Sequence, residues 1–328
     1  MQDQSCRCGD GTLGWIIVAL ISLFDASWLY LSGHSVMWAG IFAACKGAGT
    51  LICLAVILRA LSGVRRYQVV TTRLRYAKVV DIAAWCALLL CFVSSTCVTS
   101  YLCVSINAPL IDSGLVAFDR SLGYDWLAAY EWVQRHPHVQ KILQVAYASG
   151  HWQLLALPVL LGLFGRCEAT SDFFFLLVLA STYLLLISTP FLAASAFIHF
   201  GVEDRSAIAT VSDFALLRDG SLRVFDIANA QGLVSMPSFH TALAVLFPYS
   251  FRQLRLLFLV ALPLNAVMIL SNPTQGGHYL VDVITGLLLS ALTILTLNAF
   301  SRRGANVRTC SANASAGVIG EASSERLH

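Results

Sequence analysis

Apolar runs recur along this chain from residue 14 to residue 300, and no stretch between them reads as a separate water-soluble core. A helix that crosses the hydrocarbon of a bilayer needs about 20 mainly apolar residues. The runs predict eight such helices: Gly14 to Leu31, Met37 to Leu61, Val80 to Ile106, His151 to Phe164, Phe173 to Phe197, Phe239 to Phe251, Leu256 to Leu270 and Tyr279 to Phe300, the fourth and sixth being short. Pro158, Pro190, Pro248 and Pro263 are placed to kink their helices, which membrane helices tolerate where neighbours re-satisfy the freed carbonyls. The first run has the length of a secretory h-region from Gly14 to Phe24, but no basic cluster precedes it and it continues past Asp25 to Leu31, so it reads as an uncleaved helix. The fold expected is therefore all-α, a polytopic transmembrane helical bundle.

Orientation follows from the basic residues of the short connections. Arg65, Arg66, Arg73, Arg75 and Lys78 follow the second run and predict a cytoplasmic loop. Alternating from there puts Arg166, the Arg252 and Arg255 pair, and Arg302, Arg303 and Arg308 inside as well, with both termini cytoplasmic. The segments Asn107 to Gly150, His199 to Pro237 and Ser271 to Gly277 then face outward, which for a bacterial inner membrane is the periplasm. The first of these mixes Asp112, Asp119 and Asp125 with Leu115, Phe118, Leu122, Trp126, Tyr130 and Trp132. That pattern predicts short helices at the interface, with aromatic rings at headgroup depth. Residues 1–79 form two N-terminal helices and a basic loop, 80–300 the six-helix domain, and 301–328 a small polar tail expected to be disordered.

Composition agrees with the pattern. Hydrophobic residues make up 57% of the chain and charged residues 12%, at a mean hydropathy of +0.73, against about 25% charged in an average soluble domain. So much apolar surface needs a lipid bilayer around it. A net charge of +3, with the basic residues gathered in loops, argues against a nucleic-acid partner. Among the ten cysteines, Cys45, Cys53, Cys86, Cys91, Cys97 and Cys103 stand singly inside apolar runs, where a thiol behaves as a small hydrophobe. Cys6 and Cys8, without a second pair, are a weak signal for metal or lipid attachment.

Two charges fall inside the first two runs. Asp25 and Lys46 lie at similar depth from the outer ends of their helices, and an unpaired charge there is costly, so they are expected to pair.

Two histidines each open an apolar run on the same predicted side, behind small or turn-forming residues: Met236-Pro237-Ser238-Phe239-His240-Thr241-Ala242 and Gly276-Gly277-His278-Tyr279-Leu280-Val281-Asp282. His278 and Asp282 are four apart and share a helix face, so the carboxylate can accept from one ring nitrogen and leave the other free as a nucleophile. A lone histidine at a membrane interface is more often a snorkelling polar residue. Two histidines and a carboxylate so arranged point to function, because intramembrane ionisable groups are expensive.

Pro-Ser-x-His followed by His-x-x-x-Asp resembles the signature of the type 2 phosphatidic acid phosphatase superfamily. The forms Pro-Ser-Phe-His-Thr-Ala and Gly-Gly-His-Tyr-Leu-Val-Asp look most like its inositol phosphorylceramide synthase branch. The resemblance covers about Val80 to Phe300. It implies a six-helix core, no metal or other cofactor, and a phosphohistidine intermediate: His278 attacks phosphorus, Asp282 orients it, and His240 protonates the departing alcohol. Ser238 and the amides around Gly276 and Gly277 would hold phosphoryl oxygens, a task suited to backbone donors near helix starts. Where the superfamily usually has glycine before the first histidine this chain has Phe239, Asn272 replaces an expected arginine after Ser271, and the lysine and Arg-Pro motif is absent. Charge neutralisation then falls to Arg218, next Arg223, or Arg205. The substrate implied is a membrane lipid phosphate, with hydrolysis and transfer both open. A transporter would show repeats and polar groups near the midplane. A metal hydrolase would show the usual zinc His-x-x-x-His or cysteine pairs, which are missing.

Overall fold

The computed structural model describes residues 8–64, 75–202 and 212–324. Among them twelve α-helices run in order: α1 (Cys8–Ser32), α2 (Trp38–Gly63), α3 (Tyr76–Ser105), α4 (Asp112–Ser121), α5 (Trp126–Gln134), α6 (Pro137–Leu163), α7 (Cys167–Ser188), α8 (Ala196–His199), α9 (Asp213–Arg218), α10 (Phe239–Ser250), α11 (Arg255–Gln275) and α12 (Leu280–Ser324). Each of the eight apolar runs falls on a helix, but only α1, α2, α3, α7, α11 and α12 are both long and apolar enough to cross a membrane. The run opening at His151 is the C-terminal part of α6, which starts fourteen residues earlier at Pro137 and whose first turns carry His138, Gln140 and Lys141. With 12 residues, α10 rises about 18 Å at 1.5 Å per residue, short of the ~30 Å hydrocarbon core. Helix α7 stops at Ser188 instead of reaching Phe197: Thr189 still has helical backbone and donates to Leu185 O, but Pro190 has no N–H with which to continue the ladder. The backbone of α12 is helical from Leu280 to Ser324.

The apolar core is built by α3, α6, α7, α10 and α11, around Leu88, Phe92, Leu157, Leu161, Phe173, Phe174, Phe247 and Met268. Helices α1 and α2 are peripheral and pack mainly on α3. In α2 only 11% of the span is buried, against 50% in α7, so most of its apolar surface is left for lipid.

The ion pair expected in the first two helices is not formed. Asp25 is buried and its Oδ1 accepts from the hydroxyl of Thr99 at 2.8 Å, while Lys46 is exposed on α2 and makes no ion pair among the described residues. Equal depth does not imply facing sides: Asp25 turns inward to α3.

At the end of the bundle where α10 and α12 begin, the connecting segments form a cap. Strand β1 (Ser35–Val36), between α1 and α2, pairs in parallel with β2 (Val224–Phe225). The buried Tyr101 of α3 donates to Asp213 Oδ2 at 3.1 Å and accepts from the amide of Gln231 at 3.0 Å, fastening the segment before Ser238 to the bundle. Helices α4 and α5 are the short helices expected between Asn107 and Gly150. Their aromatic rings divide between interior and surface. Trp126 is buried, stacks on Tyr130 and on Phe200 with centroids 5.2 Å away in each case, and donates its indole N–H to Pro273 O at 3.0 Å. The exposed rings are those of Phe118 and Trp132.

Candidate active site

His240 is the second residue of α10 and His278 stands two residues before α12. The local sequence explains both placements. Ser238 takes extended backbone and its Oγ accepts from the amide of Thr241 at 3.4 Å, capping α10. Helix α11 ends at Gly276, whose amide returns to Asn272 O at 2.9 Å, and Gly277 follows with φ +65°, a conformation that L side chains rarely adopt. A Cβ on Gly276 would stand 2.9 Å from the Tyr147 ring and 2.8 Å from the His278 ring. The two glycines therefore let the chain turn tightly enough to bring His278 against α6.

His278 and Asp282 meet as the spacing predicted: Nδ1 lies 3.4 Å from Asp282 Oδ2, both groups being buried. Catalytic contacts are often long before substrate binds. The carboxylate only accepts, so in the neutral ring the proton sits on Nδ1 and Nε2 keeps its lone pair. Asp282 Oδ2 also accepts from the hydroxyl of Ser235 at 2.8 Å and from the amide of Tyr279 at 3.0 Å. The Ser235 hydroxyl lies 3.5 Å from His278 Nδ1, so it braces both members of the pair. The amide of Ser238 donates to Asp282 O at 2.9 Å, which joins the two motifs directly.

His240 is held by packing. Its ring stacks on Tyr147, with centroids 4.4 Å apart and planes 14° from parallel, and meets His151 edge-on at 5.6 Å. Gly150 lies beneath it, where a Cβ would come 3.4 Å from the His240 ring.

Both histidines line one cavity of about 280 Å³. Its lining includes the polar side chains of Tyr147, His151, Ser181, Gln231, His240 and His278 and the apolar ones of Phe92, Val93, Leu154, Leu177, Leu184 and Leu185. No lysine or arginine among the described residues lines it. The N–H groups of Phe239 and His240, at the start of α10, and of Gly277 find no acceptor among the described residues. Phe239 and His240 line the cavity and Gly277 does not, so two free backbone donors belong to the cavity wall, where a phosphoryl group would carry negative charge.

Several expected contributors lie elsewhere. Ser238 is fully buried as the cap of α10 and does not line the cavity. Arg218 donates to Ala108 O at 2.7 Å and lies over the Phe214 ring at 5.8 Å, so its guanidinium ties α9 to the end of α3. Arg223 donates to Gly220 O at 3.3 Å, and its backbone carbonyl accepts from the amide of Ser35, the first residue of β1. Neither arginine lines the cavity, and Arg205 lies outside the described residues. Ser235, Tyr147, His151 and the two buried carboxylates of α4 also stand at or behind the site, although no motif marks them. Asp119 Oδ2 and Oδ1 accept from the amides of Leu280 and Val281 at 2.8 and 3.0 Å. Burial raises the Asp119 carboxyl above the usual carboxylate range, those two amides pull it back, and the charge of Asp282 raises it further. The signal for these carboxylates was a spacing of seven, Asp112 and Asp119 on one helical face with Leu115 between.

The described residues form a helical protein with six helices able to cross a membrane and two histidines on one cavity. A family model described as the PAP2 superfamily matches residues 113–296, more than half of the chain, and the chain belongs to that superfamily. No curated protein matches the chain. No solved structure matches it either.

Proposed function

We propose that this protein is a lipid phosphate phosphatase or phosphotransferase that works through a phosphohistidine at the outer face of the membrane. The observation that carries this reading is the cavity itself. Its lining brings together His240, His278 with Asp282 bonded behind it, and apolar side chains suited to an acyl or prenyl chain.

In the first step His278 Nε2 attacks phosphorus, the N–P bond forms as the ester P–O bond breaks, and His240 gives its proton to the leaving oxygen. Asp282 stabilises the positive charge that grows on the His278 ring. In the second step His240 takes a proton from water or an alcohol, whose oxygen displaces His278 from phosphorus. Hydrolysis and transfer differ only in that acceptor. The likeness of the two motifs to the inositol phosphorylceramide synthase branch favours an alcohol; phosphatidate, a phosphatidylglycerol phosphate or a polyprenyl diphosphate would be the substrates of a plain phosphatase. The outer-face assignment rests on the basic loops, which place the starts of α10 and α12 away from the cytoplasm.

The test is incubation of the purified full-length protein with a panel of lipid phosphates, following released phosphate and new phospholipids together. Phosphate alone identifies a hydrolase and a new phosphodiester a transferase. Neither product from any lipid phosphate, with the folded protein intact, would refute the reading.

A further inference from the structure

The first turn of α12 follows directly on His278, and the first amides of a helix have no partner within it. Here those of Leu280 and Val281 are taken by Asp119, which reaches across from α4, 161 and 162 residues away in the chain, and is itself buried. The same helix begins with Asp112, also buried. Its Oδ1 accepts from the phenol of Tyr279 at 2.8 Å, and its two oxygens accept from the amide of Ala194 at 3.1 and 3.0 Å, with Ser195 N at 3.4 Å from Oδ1. Ser195 passes the contact on. Its hydroxyl donates to Gly277 O at 2.9 Å, and the amide of Ala196 donates to the same carbonyl at 2.8 Å. The residues on both sides of His278 are thus bonded, directly or through one loop, to the two carboxylates of a single short helix.

Two turns separate Asp112 from Asp119, which puts them on one face with Leu115, while Ser113, Gly114, Phe118 and Arg120 are exposed. Taking two carboxylates out of water is costly, and nothing in the apolar packing of α4 calls for them. We propose that Asp112 and Asp119 are positioning residues for His278. Together they clamp the Gly276–Val281 turn, so that the imidazole is fixed between Asp282 and the cavity by α4 as well as by the start of α12. The proposal rests on reading His278 as the nucleophile. Neither carboxylate lines the cavity, so neither touches substrate. Their action passes through the turn.

Asparagine at 119 keeps one acceptor but turns an NH2 group toward the second amide, so one of the two bonds is lost and the turn is released. In the full-length protein Asp119→Asn is expected to lower kcat by about 10²-fold, the scale set by a displacement near 1 Å, with KM unchanged. Asp119→Glu, which retains two acceptor oxygens, should recover part of the loss, and Arg120→Ala on the exposed face of the same helix should have no effect. Should Asp119→Asn fail to fold, Tyr279→Phe removes only the bond to Asp112 and should lower kcat in the same direction by less.

A readout that does not depend on activity is the rate at which diethyl pyrocarbonate modifies His278, measured by peptide mass. Asp119→Asn or Tyr279→Phe should change that rate while the exposed His138 keeps its own. If His278→Ala abolishes turnover while these variants keep both wild-type kcat and the wild-type labelling rate, the clamp is wrong and the proposed function stands. If His278→Ala stays fully active, the nucleophile assignment falls, and with it the positioning role, whatever the labelling shows.

Discussion

Gly286 lies on α12 one turn beyond Asp282, against the start of α10. A Cβ there would stand 2.5 Å from Ser238 O and 2.8 Å from Thr241 Cβ. A carbon and a carbonyl oxygen approach to about 3.3 Å at closest, so Gly286→Ala requires the two helices to separate by about 0.8 Å. The obstacle is backbone, and it is already engaged: Ser238 O accepts from the amide of Ala242 at 3.1 Å and Ser238 N donates to Asp282 O at 2.9 Å. The strain cannot be relieved by one rotating side chain, and the movement carries Asp282 away from the helix that bears His240. Overpacking of this kind costs about 1–3 kcal/mol of stability. A displacement near 1 Å between catalytic groups costs about 10²-fold in turnover. The assay is kcat on a lipid phosphate together with the thermal unfolding midpoint, for the full-length protein in detergent. Gly49→Ala serves as the control, since a Cβ at Gly49 on α2 meets nothing within 4 Å. If Gly286→Ala matches this control in both measurements, the close approach of α10 and α12 does not set the geometry of the site.

Two further outcomes are expected. His278→Ala should abolish turnover of every substrate, whereas His240→Asn given an aryl phosphate, whose leaving group needs no acid, should accumulate one phosphoryl group on the peptide holding His278; intact-mass analysis after quench at high pH reads this, and an unmodified peptide despite a wild-type burst on the same ester would favour direct attack by water. Lys46→Ala should change stability by no more than about 0.5 kcal/mol, as at an ordinary surface site, and Asp25→Asn, which can still accept from Thr99, by less than about 1 kcal/mol; a loss of about 3–5 kcal/mol on removing Lys46 is the signature of a broken buried pair and would restore the pairing that the structure lacks.

Features set by neighbours along the chain can be read from residue order. Apolar runs marked every long helix, because burial in lipid or core demands them whatever the neighbour is. The spacing of four between His278 and Asp282 predicted a carboxylate beside an imidazole, and the two do meet, although His278 stands two residues before α12 and the turn at Gly277 brings its ring back over the helix start. Both motifs were legible in residue order too, as was the pair of short helices before α6. Tertiary structure decided what depends on which faces meet. Asp25 and Lys46 agree in depth, but depth fixes nothing about azimuth, and Asp25 found Thr99 on α3 instead. Arg218 looked like a phosphate ligand because it was a cation in the right segment, yet its guanidinium is taken by a backbone carbonyl 110 residues away. Ser238 belonged to the motif and became a helix cap. The bonds from Asp119 to α12 join residues more than 160 apart, and no periodicity reports a contact of that range. Local spacing encodes elements and the pairs within them, whereas the partners of buried polar groups are set by how those elements pack, since each such group takes whichever donor or acceptor the packed neighbours bring within reach.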